Sequence, residues 1–357
     1  MSDTQPPAGA LRPIERNPVL FDAFAVFQKY AREHALSIRD DTVLTSFIDE
    51  VQAQLTEGAA NESFLYGLHA QAMFQSMVVE LGGVTFIKQE DAGEVWMAGA
   101  EVKIPDFRVV SAAGESLLIE VKNCYRKPLT YRFEANYFQA LLRYAAIAKT
   151  PLKLAIFWAR LFTWTVCDAA VAKRNGRHYE LHMFDAMKAN ELASFGDLMV
   201  GTTPPLSMRM TLDKTHTRVI ERQDETHSTI EVMIAGVSLW CAEEEITDSR
   251  EQNIALTLLL YGDWENAGPY IDTDDDGEPD AIVYDAFPME DHQQGFEIVG
   301  SLSEMYSRAF ALATVKDDRI QSLSKELHPG SWGKIIPPDY KGDKLRLWIF
   351  KHEPARP

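Results

Sequence analysis

The stretch "IPDFRVVSAAGESLLIEVKN", residues 104–123, sets Asp106, Glu120 and Lys122 inside what otherwise reads as an apolar β-hairpin. Two carboxylates and an amine, if brought together, can grip a hard metal ion and steady charge on a phosphate. Whether they meet depends on register. Gly114 suits the positive-φ position of a three-residue loop, Ala112 to Gly114, so Ser111 faces Glu115. The same register sets Asp106 opposite Glu120, Ile104 opposite Lys122, Phe107 opposite Ile119 and Val109 opposite Leu117. Side chains alternate along a strand, so the apolar pairs share one face and Asp106, Glu120 and Lys122 share the other.

Two acids across a hairpin repel each other unless a cation lies between them. Lys122 neutralises them in part; a divalent ion bound by both oxygens does so more fully. Mg²⁺ takes one or two protein carboxylates and leaves its other positions to water and substrate phosphate. Mn²⁺ is the natural substitute. Such an ion polarises a phosphate oxygen and acidifies a bound water. Lys122 would then face the attacking water or the charge growing on the phosphate oxygens.

The elements around the hairpin read clearly. "NPVLFDAFAVFQKYAREHAL" and "DDTVLTSFIDEVQAQL" carry apolar residues at helical spacing. "GAANESFLYGLHAQAMFQSMVVELGG" predicts a longer helix, with Asn61 as N-cap and Gly82 as its stop. "VTFIK" predicts a strand, "FEANYFQALLRYAAIAK" an amphipathic helix and "PLKLAIFWA" a buried strand. Residues 61–160 thus run helix, three strands, helix, strand, an α/β arrangement. Beyond "GTTPPL" (201–206) the chain turns acidic and β-leaning, with helical stretches at "SREQNIALTLLLYG" and "SLSEMYSRAFALAT". The expected division is a disordered 1–17, a helical segment 18–58, an α/β domain 59–200 and a C-terminal α+β region 205–357.

The residues Pro105-Asp106 and Glu120-Val121-Lys122, on this succession of elements, resemble the PD-(D/E)XK nuclease superfamily, in particular its Holliday-junction-resolvase and RecB-like branches. The resemblance implies a restriction-endonuclease-like αβββαβ core and Mg²⁺-dependent hydrolysis of nucleic acid, DNA in particular. It assigns Asp106 and Glu120 to the metal and Lys122 to the water and the transition state. It adds Gln139, on the helix after the motif, as an assisting residue, with Tyr144 a looser match to a tyrosine of the RecB-like enzymes. It also implies a further metal ligand on the first helix, for which Glu62 and His69, seven residues apart and on one stripe, both stand.

Charge supports a polyanion at one place only. Residues 121–178 hold eleven Lys and Arg against Glu134 and Asp168, a net +9, in a chain of formal charge −18; the rest carries −27. Such a chain does not coat nucleic acid, but a local cationic region admits it to one site. Arg126, Lys127 and Arg132, just past the motif strand, are the expected phosphate contacts. The acidic C-terminal region offers a surface for a second copy or a protein partner.

Three scattered cysteines suit a reducing cytoplasm, and no apolar run is long enough to span a membrane. "DTDDDGEPD" (272–280) starts like a calcium loop, but Val283 stands where the loop's glutamate belongs, so it reads as an acidic turn. Trp158, Phe162 and Trp164 have base-stacking chemistry but sit in and after a buried strand, which favours core. His178 and His182 read as surface residues on a helix. No nucleophile elbow, phosphate loop or dinucleotide fingerprint occurs. The competing expectation is a catalytically inactive nucleic-acid-binding or adaptor protein on the same fold.

Overall fold

Asn61 opens the helix that organises this molecule: its side chain accepts the Phe64 N–H at 3.1 Å, and Gly82, at φ +73°, closes the other end. The structure, a computed structural model, describes residues 11, 18–37, 39, 41–91, 96, 99, 101–216, 218–222, 228–288 and 294–354. Apart from Leu11, the segment 1–17 lies outside them. Helices α1 (Pro18–Glu33) and α2 (Asp41–Ala60) pack on each other through Phe27, Ala31 and Val43 and lead into α3 (Glu62–Leu81).

Strands β1 (Val84–Gln89), β2 (Phe107–Ser111) and β3 (Ser116–Cys124) follow. Then come β4 (Thr130–Glu134), a strand beyond those expected, α4 (Ala135–Ala148), β5 (Leu152–Trp158) and β6 (Thr163–Asp168). The sheet order is β1-β2-β3-β5-β6; β3 and β5 run parallel across α4 and the other neighbours are antiparallel. The hairpin has the predicted register, with Phe107 opposite Ile119 and Val109 opposite Leu117. Its turn works as the sequence suggests: Gly114 has φ +85° and the Ser111 N–H bonds Glu115 O at 2.9 Å.

Both faces of this sheet are covered, because apolar residues alternate onto each. Phe107, Val109, Ile119, Val121, Phe157 and Trp164 pack toward α3. Leu118, Leu154, Ile156 and Trp158 pack toward α4 with Phe138 and Leu141. A small sheet, β4 with β7 (Lys173–Asn175) and β8 (His178–His182), closes that second side in the order β4-β8-β7. His178 and His182 therefore sit on a strand, not the expected helix. The strand pairing with β4 outweighs their local propensity.

After α5 (Met183–Lys188), β9 (Met199–Thr202) and β10 (Leu206–Leu212), a two-stranded ribbon pairs β11 (Arg218–Arg222) with β12 (Ser228–Glu231). The chain continues through β13 (Ile234–Cys241), β14 (Glu244–Ile246), α6 (Ser249–Tyr261), β15 (Glu265–Thr273), β16 (Pro279–Phe287), β17 (Glu297–Ser301) and α7 (Leu302–Thr314). Five of these strands form an antiparallel sheet, β14-β13-β10-β16-β15, and "DTDDDGEPD" is the tight acidic connection between β15 and β16. A third sheet orders β17, β9 and the strand Leu347–Phe350.

The core does not divide near residue 203. One apolar cluster runs from Phe74, Phe107 and Trp164 through Leu206 and Ile254 to Tyr306, Phe310 and Trp332. The predicted boundary at 200–205 thus separates sequence character, not packing. Among the described residues no helix is long and apolar enough to cross a membrane.

Phe74 is fully buried, 5.5 Å from the Trp164 ring and 5.9 Å from that of Phe107. Phe74→Ala should cost about 3–5 kcal/mol through the cavity left behind. Because the core is continuous, urea should unfold wild type and variant each in one transition, shifted to lower urea in the variant.

Candidate active site

Strand β3 is the centre of its sheet, and alternation sends Glu120 and Lys122 to the face covered by α4. Glu120 is fully buried. Its Oε1 accepts the Tyr137 hydroxyl at 2.6 Å and pairs with the Lys122 ammonium. Lys122 Nζ also donates to the Tyr137 oxygen at 3.4 Å. Asp106, in the bend just before β2, is buried as well. Its Oδ2 accepts the Val121 N–H at 2.6 Å, and its Oδ1 accepts the Gln71 amide at 2.7 Å from α3. The hairpin register and two helices bring these groups together around residues 120–122 of β3.

The electrostatics follow from burial. Desolvation first, and the Glu120 charge second, push the Asp106 carboxyl up to about 7, against the pull of Lys122 and the Val121 N–H. Burial alone would lower Lys122, but Glu120 and Asp106 outweigh it, so the amine holds its proton more tightly than a free lysine. Desolvation and the Glu120 charge raise Tyr137, keeping it a phenol donor.

These residues suit a divalent cation. Glu120 Oε2 is buried without a hydrogen-bond partner, which is costly for a carboxylate oxygen. Each Asp106 oxygen has one donor and retains a second lone pair. Two carboxylates suffice for Mg²⁺, which keeps water and substrate in its remaining positions. Among the described residues no group of three or more His, Cys, Asp or Glu forms a fuller metal cage.

The other expected residues separate. His69 does not join the cluster: its Nε2 bonds Thr314 Oγ1 at 2.8 Å and its ring packs 5.1 Å from Phe310, because α7 covers that side of α3. Gln139 donates to the Tyr179 hydroxyl of β8, and the α4 residue that reaches Glu120 is Tyr137, two positions earlier. Tyr144 bonds Glu90 at 2.8 Å beside Arg108, a separate polar network on the same sheet face. Glu62 stands at the head of α3, on the wall of an open cleft of about 660 Å³ that it shares with Tyr66, Gln71, Lys122, Tyr125 and Tyr131. Trp158 and Trp164 are core.

Arg126, Lys127 and Arg132 line an adjoining groove of about 360 Å³. Arg132 pairs there with Glu180 at 2.9 Å, and the Arg126 guanidinium lies 5.7 Å from the Tyr125 ring. Elsewhere the cationic segment is spread: Lys153 bridges Asp168 and Glu191, and Lys173 lies 3.7 Å from Asp185. Sequence reasoning missed Gln71 and Tyr137. Tyr137 had a signal, lying seven residues before Tyr144 and so on its helical stripe; Gln71 is an orienting amide where only acids and histidines were sought.

No family model and no curated protein matches this chain. Among solved structures there is a similarity to Hjc, a Holliday junction resolvase from the archaeal hyperthermophile Archaeoglobus fulgidus. It covers 35% of this chain and 97% of the resolvase, at 20% identity and a TM-score of 0.27.

An unfolded aspartate loses its proton near pH 3.8, the folded Asp106 near 7. The folded chain therefore carries an extra proton between those values, and stability falls as pH rises through that window. In EDTA, Asp106→Asn should abolish this fall, gaining on wild type from pH 4 to pH 8 in its urea midpoint. A wild-type-to-variant difference that stays constant over the range would refute the raised carboxyl.

Proposed function

We propose that this chain is a Mg²⁺-dependent nuclease of the PD-(D/E)XK type, built on a restriction-endonuclease-like core over residues 62–168 and hydrolysing phosphodiester bonds of nucleic acid, DNA foremost. One observation carries the reading: Asp106 and the fully buried Glu120 converge beside a protonated Lys122, with Glu120 Oε2 unpartnered. A solvent-facing hairpin with cross-strand charges would not bury its acids or leave one oxygen unpaired.

Asp106 and Glu120 would hold the ion, which when bound polarises the phosphate and acidifies water for in-line attack. Gln71 and the Val121 N–H fix the Asp106 carboxyl, so its orientation is set before substrate arrives. Lys122 serves as a cation that donates to the phosphate oxygens as negative charge grows on them. Tyr137 positions both Glu120 and Lys122 through its hydroxyl. Arg126 and Lys127, both exposed on the groove, would contact flanking phosphates.

The test is direct: pure protein with supercoiled plasmid, linear duplex and single strands, in Mg²⁺, Mn²⁺ or EDTA. Cleavage should require metal. Binding without cleavage under either metal would favour an adaptor on this fold instead. Asp106→Ala and Lys122→Ala should each lower kcat by about 10²-fold or more with far-UV circular dichroism unchanged. Full activity in either variant would remove that residue from its role. Millimolar Mg²⁺ should raise the Tm of wild type through binding to the folded state alone, and Glu120→Gln should lose that rise.

A further inference from the structure

The cleft that ends at Lys122 is walled by aromatic rings, and the groove beside it by cations. Asn123, Tyr125 and Tyr131 line both, so the two spaces adjoin. Tyr125 is 55% exposed, a large ring held in water at their junction. Beside Gly67 on the α3 wall, an added Cβ would meet nothing within 4 Å, so the cleft is open there.

We propose that this cleft binds an unpaired nucleic-acid strand, its bases stacked on Tyr125 and Tyr131 and its phosphates along Arg126 and Lys127, so that single strands are the substrate delivered to Lys122. Every base has a π-face, so stacking on tyrosine holds a strand without reading its sequence. Size agrees with this: a cleft of about 660 Å³ lies in the range that holds one drug-sized ligand, comparable to a nucleotide or two. The surrounding chain, at −27 outside residues 121–178, repels a polyanion elsewhere and confines it to this route.

The delivery step rests on the nuclease reading; the binding step does not, so the experiment measures binding in EDTA. Fluorescence anisotropy with labelled single-stranded DNA, RNA of the same sequence, and the DNA duplex should show either single strand bound at least about tenfold more tightly than duplex. Tyr125→Ala should weaken single-strand binding about tenfold, and Tyr125→Phe, which keeps the ring, should restore most of it. Gly67→Leu, which fills the cleft from a wall position with free space, should weaken it as well. Duplex bound as tightly as single strand, or Tyr125→Ala binding single strand like wild type, overturns the proposal. A protein that passes these tests but cleaves nothing in Mg²⁺ keeps the cleft and loses the nuclease. One that cleaves duplex and ignores Tyr125→Ala keeps the nuclease and loses the cleft.

Discussion

Burying two carboxylates within reach of each other is the constraint on which the rest of this molecule depends. In a low-dielectric interior their repulsion is many times what it is in water, and each loses its hydration as well. The chain answers with directed groups: the Lys122 ammonium, the Tyr137 hydroxyl, the Gln71 amide and the Val121 N–H. The compensation is incomplete, because Glu120 Oε2 has no donor and Asp106 takes up a proton well above the usual carboxylate range. A structural ion pair would be closed on both sides. Here one carboxylate oxygen is left without a donor, and of the cluster's charged groups only Lys122 reaches the neighbouring cleft.

Helix α3 links that chemistry to the remainder of the fold. Its buried face supplies Met73, Phe74 and Met77 to the main core, and Gln71 reaches the cluster from the same helix. It also contacts the C-terminal region. His69 bonds Thr314, and the fully buried Glu80 accepts from the His328 N–H at 2.9 Å and pairs with Lys325 at 3.3 Å. The C-terminal region, through α7 and residues 325–331, thus packs against the helix that carries Gln71. Removing it would strip one side of α3 of its apolar cover and leave Glu80 buried without its donors.

Charge is divided with the same economy. Of the cations in 121–178, Lys153 and Arg132 are spent on neighbouring acids, and Lys122 on Glu120. Arg126 and Lys127 remain at the surface of the groove next to the aromatic cleft. A net charge counted along sequence therefore overstates the field, while the position of these two residues, immediately after β3, sets where it acts.

Short-range rules settled much of this protein. The turn at Gly114, the alternation in 107–109 and 117–121, and the caps of α3 each involve residues close together in sequence, so φ/ψ preference and period alone place Phe107 opposite Ile119 and Val109 opposite Leu117. Longer-range matters were decided by packing. Gln71 lies 35 residues from Asp106, Tyr137 lies 17 from Glu120, and His69 lies 245 from the threonine that claims it. Which side of a helix meets which neighbour is fixed by how the whole core closes, and two positions along α4 separate Gln139, which faces Tyr179, from Tyr137, which reaches Glu120. Sequence determined which residues share a strand face; only the assembled core decided which helix residues would meet them.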